Sequence, residues 1–292
     1  MSRLEVLKTY KIYIGGQFPR TESGRYYPLN DSKGKLLGNI CLSSKKDIRN
    51  AVVAARKAFG GWSERAPFNR GQILYRIAEM LEGRKEQFIA EMVQQGLSRA
   101  KAEREMEICI DRTVYYAGWS DKFMQISSAV NPVSSSHFNF TVPEPMGAVG
   151  VIAPQDSALL GLISLVIPSI AGGNTCVVVA AETKPLCAVT FAEVLNSSDL
   201  PGGVVNILTG SPAELVDTLA SHMDVNAIVS AESVSHKQKI QEACIGNVKR
   251  SFFYDQDWLK AEGEHLHFIT DLQEYKTTWH PIENIGGATS NY

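Results

Sequence analysis

From residue 147 onward the chain alternates short, largely apolar runs with stretches of helical length. The runs cover 147–153, 175–179, 204–208 and 227–230. The helical stretches cover 159–171, 186–195, 212–221 and about 235–245. A strand whose apolar residues run on without alternation is buried on both faces. A parallel neighbour can be reached only through a crossover of a dozen or more residues. The alternation therefore predicts an α/β fold, a parallel sheet with helices on both faces. Ligands of such sheets sit outside the carboxyl ends of the strands. The loop expected there lies in "VIAPQDSALL", residues 151–160, and offers Gln155, Asp156 and Ser157.

The length of 292 residues allows one large domain or two small ones. The 44% hydrophobic content is enough for a sizeable core. A net charge of −2, with no basic run, argues against nucleic-acid or membrane-surface binding. The N-terminal "MSRLEVLKTYKIYIGG" lacks the apolar core of a secretory signal, and no run reaches the length of a membrane span. The five cysteines are scattered, odd in number and without a CxxC pair, which predicts free thiols and a cytoplasmic location. Without an export signal, the sequons at Asn30, Asn139 and Asn196 read as chance.

Upstream, residues 10–41 read as short strands with turns at Gly15-Gly16 and Lys33-Gly34. A helix follows, capped by Ser44 with Asp47 three residues on. Ile48, Val52, Ala55 and Phe59 share its apolar face, and Gly60-Gly61 are expected to end it. Between Pro67 and Phe123 the pattern is helical twice. One stripe runs from Ile73, Leu74, Ile77 and Leu81 on to Phe88 and Met92; after Gly96 a second carries Met106, Ile110 and Tyr116. Residues 124–146, rich in Ser, Pro and β-formers, read as an extended excursion or hairpin. Beyond Asp255 the pattern is weak.

In order along the chain, "KIYIGGQF", "DIRNAVVAARKAFGGW", "RGQILYRIAEMLEGRKEQF", "YYAGWSDKF", "PMGAVGVIAP", "AGGNTCVVVAAE", "LPGGVVNILTG" and "ASHMDVNAIVSAES" resemble the N-terminal part of the aldehyde dehydrogenase superfamily. More narrowly, the chain resembles the shortened, non-catalytic C-terminal half of the double-length family 16 aldehyde dehydrogenases. The resemblance implies a Rossmann-type dinucleotide-binding domain over 1–255, with the excursion at 124–146 used for subunit pairing. It implies a tail, 256–292, in which "LQEYKTTWHPI" (272–282) resembles a late strand that pairs with a neighbouring subunit's sheet.

Members of the superfamily oxidise aldehydes through a thioester and pass a hydride to NAD or NADP. That chemistry needs a thiolate nucleophile, oxyanion donors and a carboxylate base. By the resemblance, Asp156 stands where the family's Pro-Trp-Asn loop has its oxyanion-binding asparagine, and Gln155 where it has tryptophan. An ionised carboxylate cannot donate; losing one such donor costs roughly 3–4 kcal/mol of transition-state stabilisation. Asp156 reads as a solvated loop acid. The family's Lys-Pro-x-Glu falls on Val179-Ala180-Ala181-Glu182, so Glu182 survives and the lysine does not. Its Gly-Ser-Thr-x-x-Gly phosphate loop falls on 230–235, where Ser230 and Ser235 replace both glycines and Glu232 adds a negative charge. Glu232 or Ser233 reads as a helix cap instead. The family's Glu-Leu-Gly-Gly-Lys falls in "NVKRSFFYD", without its glutamate; the resemblance implies that the catalytic domain with its cysteine is not to be expected beyond it.

Of the remaining thiols, Cys176 is expected in a buried strand and Cys187 and Cys244 on helices, none with a histidine close in sequence. His265 and His267 would share a strand face but have no third ligand at metal spacing, so no metal is expected. The vestigial cofactor positions are Ala153, Pro154, Asp156, Val179, Glu182, Gly210, Ser230 and Ser235, and no residue is assigned a catalytic role. The expectation is a non-catalytic domain with no resident cofactor. Its partner would be itself, a catalytic aldehyde dehydrogenase domain or another protein. The alternatives are an NAD(P)-dependent aldehyde oxidoreductase and a weak dinucleotide sensor.

Overall fold

The computed structural model describes residues 8–231 and 234–282, with side chains omitted for residues 234–236. The chain opens with β1 (Thr9–Tyr10), β2 (Tyr26–Asn30) and β3 (Leu36–Cys41), a small sheet in the order β1-β3-β2. Helix α1 (Lys45–Ser63) follows. The Ser44 N–H donates to Asp47 Oδ2 at 2.7 Å and its hydroxyl to the same oxygen at 2.8 Å. Contrary to expectation, α1 runs through Gly60-Gly61. Trp62, 1% exposed, donates from Nε1 to the Ile170 carbonyl at 3.0 Å. Burying that indole outweighs the roughly 1 kcal/mol that each interior glycine costs.

The long stripe expected to continue from Ile73 to Met92 is broken. Gly83 and Arg84 turn the chain between α2 (Pro67–Gly83) and α3 (Lys85–Gln94). The turn lets Phe88 and Met92 pack into the core from α3 beside α4 (Arg99–Trp119). A short α5 (Phe123–Ser127) leads to β4 (Ala129–Asn131) and β5 (His137–Pro145).

The predicted alternation then appears: β6 (Ala148–Ile152), α6 (Leu160–Ala171), β7 (Thr175–Val179), α7 (Leu186–Asn196), β8 (Val205–Leu208), α8 (Pro212–Ser221), β9 (Ala227–Ser230), α9 (Val234–Ile245) and β10 (Arg250–Phe253). The five strands form a parallel sheet in the order β10-β9-β6-β7-β8. Alternate side chains enter two cores. Val149, Val151, Cys176 and Val178 face α6, α7 and the α2–α4 layer; Ala148, Ile152, Val177 and Val179 face α1, α8 and α9.

Beyond β10 the chain packs back onto the first core. A 3-10 turn (Ala261–Gly263) and α10 (His267–Thr270) bring in Trp258, Phe268, Ile269 and Leu272. Buried Arg112 of α4 holds this segment, donating to Ser164 Oγ at 2.5 Å and the Trp258 carbonyl at 3.0 Å.

The last strand is β11 (Gln273–Pro281). It pairs antiparallel with β5 of its own chain, from Gln273 opposite Pro145 to Pro281 opposite His137. With β4 it makes a three-stranded sheet in the order β11-β5-β4. The excursion at 124–146 and the tail strand are thus two parts of one intramolecular sheet. The part of the 256–292 tail beyond Ile282 lies outside the described residues.

Candidate functional site

Strands β6 and β9 are neighbours at the centre of the sheet, and the connections after them leave in opposite directions along the strand order. The crevice for a ligand therefore lies outside the carboxyl ends of β6 and β9. Four of the vestigial positions line up there as backbone. Ala153 N–H donates to the Val179 carbonyl at 3.0 Å, and Ala231 N–H to the Ile152 carbonyl at 3.4 Å. Val179 and Ser230 are fully buried in the sheet. Pro154 lies against Gly161 so closely that a Cβ at 161 would fall 2.2 Å from its Cγ. Gly210, past the end of β8, has φ +140, a conformation that favours glycine. The Ser235 side chain, Glu232 and Ser233 lie outside the described residues.

Gln155, at the tryptophan position of the resemblance, ties two loops together. Its Nε2 donates to the Ala153 carbonyl at 3.1 Å and its Oε1 accepts the Glu182 N–H at 2.8 Å. Lys184 Nζ donates to the Asp156 carbonyl, and Tyr27 OH to the Glu182 carbonyl at 2.8 Å. The loops after β6 and β7 are thus laced to each other and to β2. The Asp156 side chain is exposed, and the half-buried Glu182 carboxylate makes no hydrogen bond to any described residue.

Sequence reasoning missed Glu105. It sits on the buried face of α4 and its Oε1 accepts the N–H groups of Leu159 and Leu160, both at 3.0 Å. Ser157 Oγ donates to the same oxygen at 3.3 Å. This carboxylate occupies the positive end of α6, where orphan N–H groups and the helix dipole favour an anion. A signal was available. Ala102, Glu105, Met106 and Cys109 form one helical stripe, so an acid stands among core positions. A pocket of about 350 Å³ opens beside it, lined by Glu105, Asp156, Ser157, Asp257 and Trp258. An oxyanion forming there would face three carboxylates, where an oxyanion hole needs donors.

No thiol is placed for nucleophilic attack. All five cysteines are buried. Burial pushes the Cys176 thiol up to about 12 and raises Cys109 and Cys187 well above the usual thiol range. Thiolate, the reactive form, is correspondingly scarce. The native chain is expected to leave its five cysteines unreacted with a disulfide reagent on the scale of minutes. All five should titrate on denaturation. A fast-reacting thiol in the native protein would contradict this placement.

His265 and His267 do not share a strand face as expected. They lie in the turn into α10, with Nδ1 atoms 2.9 Å apart and rings 4.7 Å apart, because packing Phe268 and Ile269 into the core winds the chain helically. Among the described residues no three His, Cys, Asp or Glu side chains form a metal-binding group, and no helix is long and apolar enough to cross a membrane.

The model of the aldehyde dehydrogenase family matches residues 19–253. The chain is 32% identical over 257 residues to a cytosolic 10-formyltetrahydrofolate dehydrogenase of Xenopus tropicalis, a match covering 86% of this chain and 28% of that protein. It is 32% identical over 248 residues to aldehyde dehydrogenase, cytosolic 1, of Elephantulus edwardii, covering 82% of this chain and 49% of the other. The chain thus spans half or less of the length of these relatives. Its fold matches the NAD+ complex structure of an aldehyde dehydrogenase from Bacillus cereus with a TM-score of 0.81 at 26% identity, over 84% of this chain and 50% of that one. PnpE from Pseudomonas sp. WBC-3 matches with a TM-score of 0.81 at 27% identity, over the same shares. Sheet order, the run of sequence matches and the shared fold agree that the chain belongs to the aldehyde dehydrogenase family.

Proposed function

We propose that this chain is a non-catalytic aldehyde dehydrogenase-like domain whose work is assembly, with itself or with a catalytic aldehyde dehydrogenase domain. The observation that carries the reading is the carboxyl end of the sheet. There Gln155 bridges the loops that a dinucleotide would lie across, and carboxylates stand where oxyanion donors belong. The projecting sheet supplies a surface for the second role. Among the described residues no strand pairs with the outer edge of β11. That edge strand carries the exposed Tyr275 and Trp279, while Val130 and Phe138 are exposed on β4 and β5. An edge of this kind recruits another chain through main-chain hydrogen bonds.

A second reading keeps weak dinucleotide binding, as a sensor or an unusual oxidoreductase. The free Glu182 carboxylate favours it, since it can still accept from a ribose hydroxyl. Calorimetric titration with NAD and NADP separates the two. The assembly reading expects no heat at cofactor concentrations near the millimolar range, a binding energy weaker than about −4 kcal/mol. Binding near a micromolar Kd would overturn it, and aldehyde turnover would then be assayed.

A further inference from the structure

At the amino end of the sheet, away from the crevice, a pocket of about 290 Å³ lies where β5 and β11 leave the globule. Its floor holds two buried polar side chains, Arg70 at 4% and Gln273 at 1% exposure. Arg70 uses two nitrogens on backbone. Its Nε donates to the Ala171 carbonyl at 3.3 Å, and Nη1 to the carbonyls of Ser63 and Arg65 at 3.2 and 2.6 Å. Nη2 donates to no described residue, and the guanidinium forms no ion pair with one. Burial without a carboxylate partner lowers the Arg70 pKa to about 10.

Gln273 donates from Nε2 to the Gly172 carbonyl at 3.2 Å, which fixes the orientation of its amide. Its Oε1 is left buried with no partner. The two side chains converge on one turn. A Cβ at Gly172 would lie 2.6 Å from Gln273 Nε2, and one at Gly173 would lie 3.5 Å from Arg70 Cζ. The walls are apolar, with Phe123, Met124 and Pro145; Glu64, Arg65 and Glu144 stand at the rim, and Glu144 is ion-paired with Lys276. The pocket therefore presents a cationic donor and an orphan acceptor around a small apolar space. Its size is at the lower end for ligand sites, which run from roughly 300 Å³ upward.

We propose that this pocket binds a free α-amino acid. The carboxylate pairs with Arg70 Nη2, the ammonium donates to Gln273 Oε1, and the side chain lies against Phe123 and Met124. A carboxylate alone leaves the orphan acceptor unmet, and an amine alone leaves the guanidinium unmet.

The test is calorimetry of the full chain with glycine, L-alanine, L-valine and L-glutamate. Acetate and methylamine serve as the two halves, and N-acetylglycine as a carboxylate whose nitrogen is uncharged. At least one amino acid is expected to bind saturably, with each half and N-acetylglycine at least about tenfold weaker, the size of one lost charge-assisted hydrogen bond. Met124→Trp fills the space while leaving every Arg70 contact in place. Gln273→Met removes the acceptor. Each should weaken binding about tenfold or more with an unchanged fold by circular dichroism. The proposal is overturned if no amino acid binds at about 10 mM. It is also overturned if acetate or N-acetylglycine binds as well as the amino acids, or if whichever variant remains folded binds like the parent. None of these outcomes depends on cofactor binding at the opposite end of the sheet.

Discussion

A chain cut after Asp255 is expected to lose cooperative folding. Trp258, Phe268, Ile269 and Leu272 all pack into the core formed by α4, α6 and the sheet. Fully burying one such side chain contributes about 1.5–3 kcal/mol, so four together contribute about 6–12 kcal/mol. The whole stability of a domain is typically about 5–15 kcal/mol. The cut also leaves buried Arg112 without the Trp258 carbonyl and strips β5 of its β11 partner along nine residue pairs. The shortened chain should therefore collect in the insoluble fraction, or show a broad, non-cooperative melt by circular dichroism. A soluble product with a sharp transition close to the parent's would show the segment to be an appendage. Arg112→Met is a milder probe of the same contact, since it keeps the length of the side chain and removes only the donors to Ser164 and Trp258.

Glu105→Ala should lower the melting temperature by on the order of 10 °C, from a loss of about 3–5 kcal/mol. One carboxylate oxygen accepts two buried N–H groups at the start of α6 and the Ser157 hydroxyl. Hydrogen bonds to a charged group contribute about 1.5–3 kcal/mol each, and a buried donor left unpaired carries its full desolvation penalty. Glu105→Gln keeps an acceptor in place and loses the charge at the positive helix end. It should cost only about 1–2 kcal/mol. Differential scanning calorimetry of the three proteins checks both figures. Equal melting temperatures for Glu105→Ala and the parent would mean that water or another side chain serves those donors.

The central α/β fold could be read from the residues. The strand at 175–179 and the helix at 212–221 fall where expected because each carries its own local signal. One is a short, largely apolar run rich in β-branched residues, the other a proline at a helix start followed by a helical stripe. The misplacements share a cause. Gly60-Gly61 signal a helix end locally, but the indole of Trp62 found a carbonyl on another helix. His265 and His267 alternate like strand residues, but burial of Phe268 and Ile269 made the turn helical. Local propensities of about 1 kcal/mol yield to the burial of one large side chain.

The candidate sites divide in the same way. Resemblance pointed to Asp156, Val179 and Ser230 by alignment, and the structure puts them at the carboxyl end of the sheet. That Glu105 closes the start of α6, that Gln155 joins two loops, and that Arg70 meets Gln273 across about two hundred residues was decided only in three dimensions. By itself the sequence determined the order and type of the elements, because hydrophobic period and turn chemistry act within a few residues. The tertiary structure alone decided which polar groups are paired and which are left over. Pairing depends on side chains brought together from distant segments, and a buried polar group's energy depends on whether that partner arrives.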